Sequence, residues 1–393
     1  MSQSSGFLSF AVKSTVACLA GLLVAVLGVP HAGAQSAKPS GEPIRIGVLF
    51  STTGTLGQLG SESLPGAQIL VDEVNAAGGI NGRPVVLVHA DDESRPEQAV
   101  PLTKRLIQRD RVVAIAGPLS TSISAGMSPI VNESRVPAVG CICGVGALTP
   151  FEFSIMPLLG LLHEQAQFAK ANKVSKVGVI TQAGALAELI KATQVPLLEK
   201  EGISVVGFEQ FQPGDTDVTA LLARLRAQGA QQIYAAATGT PAALIAKNFK
   251  QVSFPGHYWT FGGNASRQFI SLVGDASDVV NMSGYKILVY KQLPGSDPMK
   301  ARLTAFAKKY IAKTGREPGY HATFGYDTLL SIAEGLRKSG PDRERLRDAL
   351  ETQSGVQTLN GPINRSAKDH NGVAPEWVSL RIDRKQNDFV LVK

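Results

Sequence analysis

No catalytic signature runs through this chain. The patterns G-x-S-x-G, H-E-x-x-H, G-x-G-x-x-G and the P-loop are all missing, and His31, His89, His163, His257, His321 and His370 are scattered. His163-Glu164 lacks the second histidine of a zinc protease. These absences set aside the common hydrolases, metalloproteases and nucleotide enzymes, so no enzymatic activity, cofactor or metal is expected. Cysteine is scarce as well. Of three in all, Cys18 lies in an N-terminal apolar run, while Cys141 and Cys143 stand one residue apart. A bridge between those two closes a strained ring, and two ligands do not make a zinc site. They are expected as thiols lining a wall. Charged residues amount to 18% and aromatics to 6%, against 44% hydrophobic, which excludes charge-rich disorder. The net charge of +7 does not indicate nucleic acid. Its densest patch, Arg337 to Arg347, contains Asp342 and Glu344, and no aromatic platform interleaves with the basic residues.

Long apolar runs are nearly absent too. The one that stands out, Thr15 to Val29, is shorter than the ~20 residues of a membrane span. Lys13 precedes it and Ala32-Gly33-Ala34 follows, the signature of a secretory signal peptide over residues 1–34, cleaved after Ala34. Cys18 sits in the middle of that run, not at its end, which argues against a lipid anchor. With no second run, the chain does not itself signal across a membrane.

What is present is a β-α-β rhythm played twice. The first strand, in RIGVLF from Arg45, empties into a loop whose Ser51, Thr52, Thr53 and Thr55 set hydroxyls beside glycines, a place where a ligand can approach the backbone. A helix from Glu62 to Ala77 carries Leu64, Ala67, Leu70, Val71 and Val74 on one face and stops at Gly78-Gly79. Strands at 85–88, 112–116 and 136–139 alternate with helices over Pro96 to Asp110 and up to Glu133. Asp91-Asp92-Glu93 reads as a solvated loop. Three strand ends offer small polar loops, at Ser51, at Gly117-Pro118-Leu119-Ser120-Thr121 and at Gly140 to Pro150. The unit restarts at Lys176, with a helix from Ala185 to Glu201, strands at 203–208, 233–237 and 258–261, and a helix to Gln228 capped by Asp215-Thr216-Asp217. Beyond it come a strand at 287–290, helices at 298–314 and 322–338, and a closing hairpin of 378–382 with 389–392. The fold class predicted is α/β, with two doubly wound parallel-sheet lobes.

The segments TGTLGQLG, NAAGGINGRP, DDESRPEQAV, VVAIAGPLSTSISAG and VPAVG, in this order and spacing, resemble the exported solute-binding proteins of the branched-chain amino acid (Leu/Ile/Val-binding) type, which feed ABC transporters. The likeness covers nearly the whole mature chain. It implies the type I periplasmic binding fold, with lobes at 43–158 plus 290–360 and 159–289 plus 361–393. Three crossing strands would join them near Phe153 to Leu159, Ser283 to Leu293 and Leu359 to Ile363. It also implies a periplasmic monomer that closes on a small ligand and presents it to an inner-membrane permease.

The resemblance places the carboxylate-holding hydroxyl at Ser120, flanked by Leu119 and Thr121, and the next loop's wall at Cys141, Ile142 and Cys143. The departures are informative. A threonine that helps hold the α-ammonium in amino-acid-binding relatives is Cys143 here, and the acid for that ammonium is Gly262. The aromatic covers become Leu186 and Thr238, the first-lobe tyrosine becomes Leu59, and a disulfide of some relatives falls on Ser94 and Leu119. His321 either approaches the pocket, where it can hold an anion, or packs. A buried ammonium without an acceptor loses several kcal/mol, on the order of a buried unpaired ion. The expected ligand is therefore a small carboxylate or neutral polar compound with an apolar body against Leu59, Ile142 and Leu186. Branched-chain amino acid binding, or a sensory module read by a signalling partner, are the alternatives.

Overall fold

The structure, a computed structural model, describes residues 38–141, 148–156, 158–212, 214–374 and 376–392. The expected signal peptide and the positions of Ile142 and Cys143 lie outside the described residues. Residues from Ala37 to Lys393 form one compact unit.

The chain first builds β1 (Ile44–Leu49), α1 (Gly57–Ala76), β2 (Val85–Ala90), α2 (Pro96–Lys104), β3 (Ala114–Ala116), α3 (Thr121–Glu133), β4 (Ala138–Gly140) and β5 (Glu152–Ser154). These strands make a wholly parallel sheet in the order β2-β1-β3-β4-β5. Alternation along each strand feeds two cores. Ala114 and Ala116 face one layer of helices with Ile46 and Val48, while Ile115 faces the other with Leu49 and Ala138. Side chains two apart share a face, so both faces must be apolar, and the strands read as continuous hydrophobic runs.

After α4 (Leu158–Ala171) the pattern repeats as β6 (Lys176–Gln182), α5 (Ala185–Lys200), β7 (Ser204–Phe211), α6 (Thr219–Ala227), β8 (Gln232–Ala236), α7 (Thr240–Gln251), β9 (His257–Thr260), α8 (Arg267–Val273) and β10 (Val280–Tyr285). The chain then returns to pack α9 (Lys300–Thr314), α10 (Tyr320–Ser339) and α11 (Arg343–Glu351) on the first sheet. A small hairpin, β11 (Ser354–Gln357) with β12 (Pro362–Asn364), follows, and then β13 (Trp377–Asp383) and β14 (Asp388–Leu391). The second sheet runs β14-β13-β10-β9-β8-β6-β7. Read from β7, its first five strands repeat the order of the first sheet, and the β13–β14 hairpin is added antiparallel at the far edge.

Some expectations are corrected. Residues 286–289 are a 3₁₀ turn, not a strand: the strand at this point is β10, which ends one residue earlier at Tyr285. Helix α1 begins five residues before Glu62, and α2 closes in a π-helical turn at Arg105–Arg109. Ile363 and Val373 pack into the first core, and the chain pairs with the second sheet from Trp377 on.

Two crossings are fastened to each other. Lys286, next after β10, pairs with Asp297 at 2.8 Å and Glu376 at 2.5 Å, and Glu376 directly precedes β13. Beside this cluster the Tyr285 ring stacks on Trp377 at 4.1 Å and on Tyr320 at 4.6 Å. In a chain poor in aromatics, three of them meet where the two sheets are joined. Among the described residues no helix is long and apolar enough to cross a membrane.

Candidate functional site

An open sheet of order 2-1-3-4-5 leaves a crevice where its connections diverge, outside the carboxyl ends of the first and third strands. Here that means the loops after β1 and β3, and their counterparts after β6 and β8.

After β1 the hydroxyls of Ser51, Thr52 and Thr53 are already engaged. Thr52 and Thr53 donate their hydroxyls to Asp91 Oδ2 at 2.8 and 2.9 Å, and the Thr52 N–H donates to Asp91 Oδ1 at 3.0 Å. Ser51 donates to Asp92, which also accepts the Ser94 N–H at 2.9 Å. Ser94 in turn accepts the Leu56 N–H and donates to Thr53 O. Asp91 and Asp92 are therefore bonded into the fold, while Glu93 stays exposed. Asp92 is fully buried, and burial pushes its carboxyl above the usual range despite Ser51 and Ser94. Asp91 and Asp92 fasten the β1 loop to the end of β2 through the hydroxyls of Ser51, Thr52 and Thr53. Among the described residues no three metal-ligating side chains cluster.

After β3, Ser120 caps α3, accepting the Ile123 N–H at 3.3 Å, and its hydroxyl lies 3.1 Å from Ser122 Oγ. It stays half-buried, and Thr121 opens the helix. Leu119 packs into the first core. So does Cys141, whose thiol lies 3.6 Å from Met156 Sδ while its N–H donates to Pro118 O at 2.7 Å. The β3 and β4 ends touch so closely that a Cβ on Gly140 would stand 2.3 Å from the Gly117 carbonyl carbon. Leu59, on α1, is partly buried against the same core.

On the second sheet, Leu186 lies at the start of α5, partly buried, and Thr238 is exposed after β8. Gly262 is buried after β9, its N–H donating to Ser283 Oγ at 3.0 Å, and a Cβ there would come within 2.9 Å of Ser283 O. Sequence reasoning missed Asn264. Its amide donates to Ala237 O at 2.9 Å and Thr260 Oγ1 at 2.8 Å and accepts the Gly239 N–H at 2.8 Å, tying the β8 and β9 ends together.

The chain also forms a cleft of about 460 Å³ against the crossing segment 287–292. Gln58, Glu62 and residues 316–321 line it from the first sheet's helices, and residues 263, 265–267, 388 and 389 from the second sheet's side. Of the sequence-derived residues, His321 lies on its wall; Gly262 is one residue from it. Two glycines bring that wall together. A Cβ on Gly66 would sit 2.0 Å from Ala322 O, and one on Gly325 1.9 Å from Ser63 O, so α1 and α10 cross nearly backbone to backbone. The crossing sets Glu62 Oε2 3.8 Å from His321 Nδ1, with side chains 19% and 18% exposed. Burial pushes the Glu62 carboxyl up, but His321, through its ring and backbone N–H, and Gln58 together hold it below the usual carboxylate range. Burial lowers His321 in spite of Glu62, so at neutral pH the imidazole is uncharged beside an ionised carboxylate. The Nδ1 side of the His321 ring faces that carboxylate.

Two doubly wound sheets of matching order, joined by crossing segments with a cleft against them, define a ligand-binding protein of the hinged two-sheet class. The periplasmic binding protein family matches residues 43–386, and the chain belongs to it. That family comprises binding proteins, not enzymes, and the role of the chain is solute binding. An amino acid binding protein of Pseudomonas aeruginosa is 26% identical over 330 residues, covering 80% of this chain and 84% of its own. A leucine-, isoleucine-, valine-, threonine- and alanine-binding protein of the same organism is 25% identical over 348 residues, 87% and 90% of the two chains. Among solved structures, an extracellular ligand-binding receptor from Rhodopseudomonas palustris superimposes with a TM-score of 0.76 at 23% identity, over 90% of this chain and all of that one.

Proposed function

We propose that this protein, exported to the periplasm as a monomer by its cleaved leader, captures a small carboxylate or neutral polar compound by hinge closure and delivers it to an ABC permease. The observation that carries the ligand class is Gly262. It stands where the resemblance puts the acid for an α-ammonium, it is buried, and a Cβ there would come within 2.9 Å of Ser283 O; an ammonium taken from water at this point without that acid is disfavoured. The ligand's oxygen meets Ser120 and Thr121, and its apolar body lies among Leu59, Ile142 and Leu186. Cys141, Cys143 and Thr238 complete the surrounding loops. Docking precedes closure, because only the closed state makes both sets of contacts.

Small-angle X-ray scattering tests the mechanism. Saturating carboxylate is expected to contract the radius of gyration, and unchanged dimensions with a bound ligand would remove hinge closure from the account.

A further inference from the structure

The two sides of the cleft beside the crossing segment carry opposite charges that are not bonded to each other. On the first sheet's side, Glu62 of α1 has no lysine or arginine bonded to it among the described residues. Its Oε1 accepts the Gln58 amide at 3.2 Å, and its Oε2 lies 3.8 Å from the uncharged His321. Gly319 makes room for that carboxylate, since a Cβ there would stand 2.3 Å from Glu62 Oε2. Arg316 is exposed on the same side, with no acid bonded to it among the described residues. On the second sheet's side, Arg267 opens α8 and pairs with Asp388 of β14 at 3.2 Å, each side chain close to half exposed. The cleft's third acid, Glu317, is matched by Lys291 at 2.6 Å. A guanidinium has five N–H donors in a planar fork, so Arg267 can keep Asp388 and still donate to a second carboxylate. An exposed ion pair within one side adds little to stability, but a contact made only when the sides approach counts wholly toward the closed state.

We infer that Arg267 is the closed-state counter-ion of Glu62: as the cleft narrows, its guanidinium bridges Asp388 and Glu62 while Arg316 closes on Asp388, latching the two sides together. This rests on the hinge-closure reading above. The latch gives Glu62 its cation from the protein's own opposite side, so the closed cleft keeps no free carboxylate there for an ammonium on the solute.

The test is zero-length crosslinking of the ligand-free Arg267→Lys protein. The substitution keeps the charge and supplies an amine, which a carbodiimide joins to a touching carboxylate as an amide, the reagent taking up the water lost and leaving as its urea. Trapping accumulates even a sparsely populated closed form, so no ligand has to be known. Peptide mass spectrometry is expected to find the amine at position 267 linked to Asp388, its present partner, and also to Glu62. The link to Glu62 is expected to fall severalfold at high salt, to vanish when Glu62→Gln is added, and to leave a protein with a smaller radius of gyration by X-ray scattering. A link to Asp388 without one to Glu62 overturns the latch, and so does a link to neither from a variant that melts like the wild type. A link to Glu62 in protein of unchanged dimensions overturns it as well, because the contact is then no product of closure. If Arg267→Lys does not fold, Arg316→Lys asks the same question from the other side, its amine expected to join Asp388, and no such link overturns the latch. Hinge closure itself stands or falls separately, on whether bound ligand contracts the wild-type protein.

Discussion

Ser120 combines two tasks that can be measured apart. Its hydroxyl caps α3, and the same group is the one proposed to meet the ligand's oxygen. Ser120→Ala is expected to lower the ligand-free unfolding free energy by about 1 kcal/mol through the lost cap. It is also expected to weaken binding by about 1–3 kcal/mol in a calorimetric titration, the range for a hydrogen bond to a charged oxygen. A second residue titrates where none is expected from the sequence. Asp327 on α10 is fully buried and accepts the Leu359 N–H at 2.7 Å and the Asn360 N–H at 3.1 Å. Burial pushes its carboxyl up to about 7, against those donors. A carboxyl with a higher pKa folded than unfolded binds protons on folding. Its stabilising contribution is thus full below the unfolded value of about 4 and is lost as pH rises through about 7. Urea titrations across that window should show stability falling more steeply for the wild type than for Asp327→Asn. Ser120 was legible because a hydroxyl at a strand end before a helix has a known use. Glu62 was not, because one acid on an amphipathic helix reads as a solvated face until the partner helix is in place.

At the scale of elements, the crossing of α1 with α10 carries the cleft wall. Neither backbone can yield to a Cβ at Gly66, so Gly66→Ala is expected to destabilise the protein by about 1–3 kcal/mol, measured by denaturant unfolding, and to displace Glu62 from His321. The helices were readable from their periodicity, and the strands from short β-prone runs between turn signals. The 286–289 turn was misread because the apolar run Ile287 to Tyr290 looks alike as strand or as 3₁₀ turn. The bonding of the hydroxyl-rich loop after β1 was hidden for a related reason. Its partners, Asp91 and Asp92, lie some forty positions on, and strand pairing between β1 and β2 brings them together.

The whole molecule depends on how its two sheets are joined. The repeated βαβ rhythm made both doubly wound sheets legible, but the fastening of the crossings was hidden, since Lys286, Asp297 and Glu376 are far apart in sequence. Lys286→Met leaves two carboxylates without their shared cation. It is expected to cost about 2 kcal/mol of stability in urea unfolding, less than a fully buried pair because Glu376 is partly exposed. The central claim, that the site takes carboxylates and lacks a place for an α-ammonium, is tested most directly by a thermal-shift screen of the purified protein. Branched amino acids, aliphatic and aromatic carboxylates, amides and polyols would be compared, each at about a hundred times its dissociation constant, where a bound ligand adds about 2.7 kcal/mol. The account predicts that carboxylates raise the melting temperature and that leucine and valine do not; a shift with leucine or valine would contradict it and return the protein to amino acid binding.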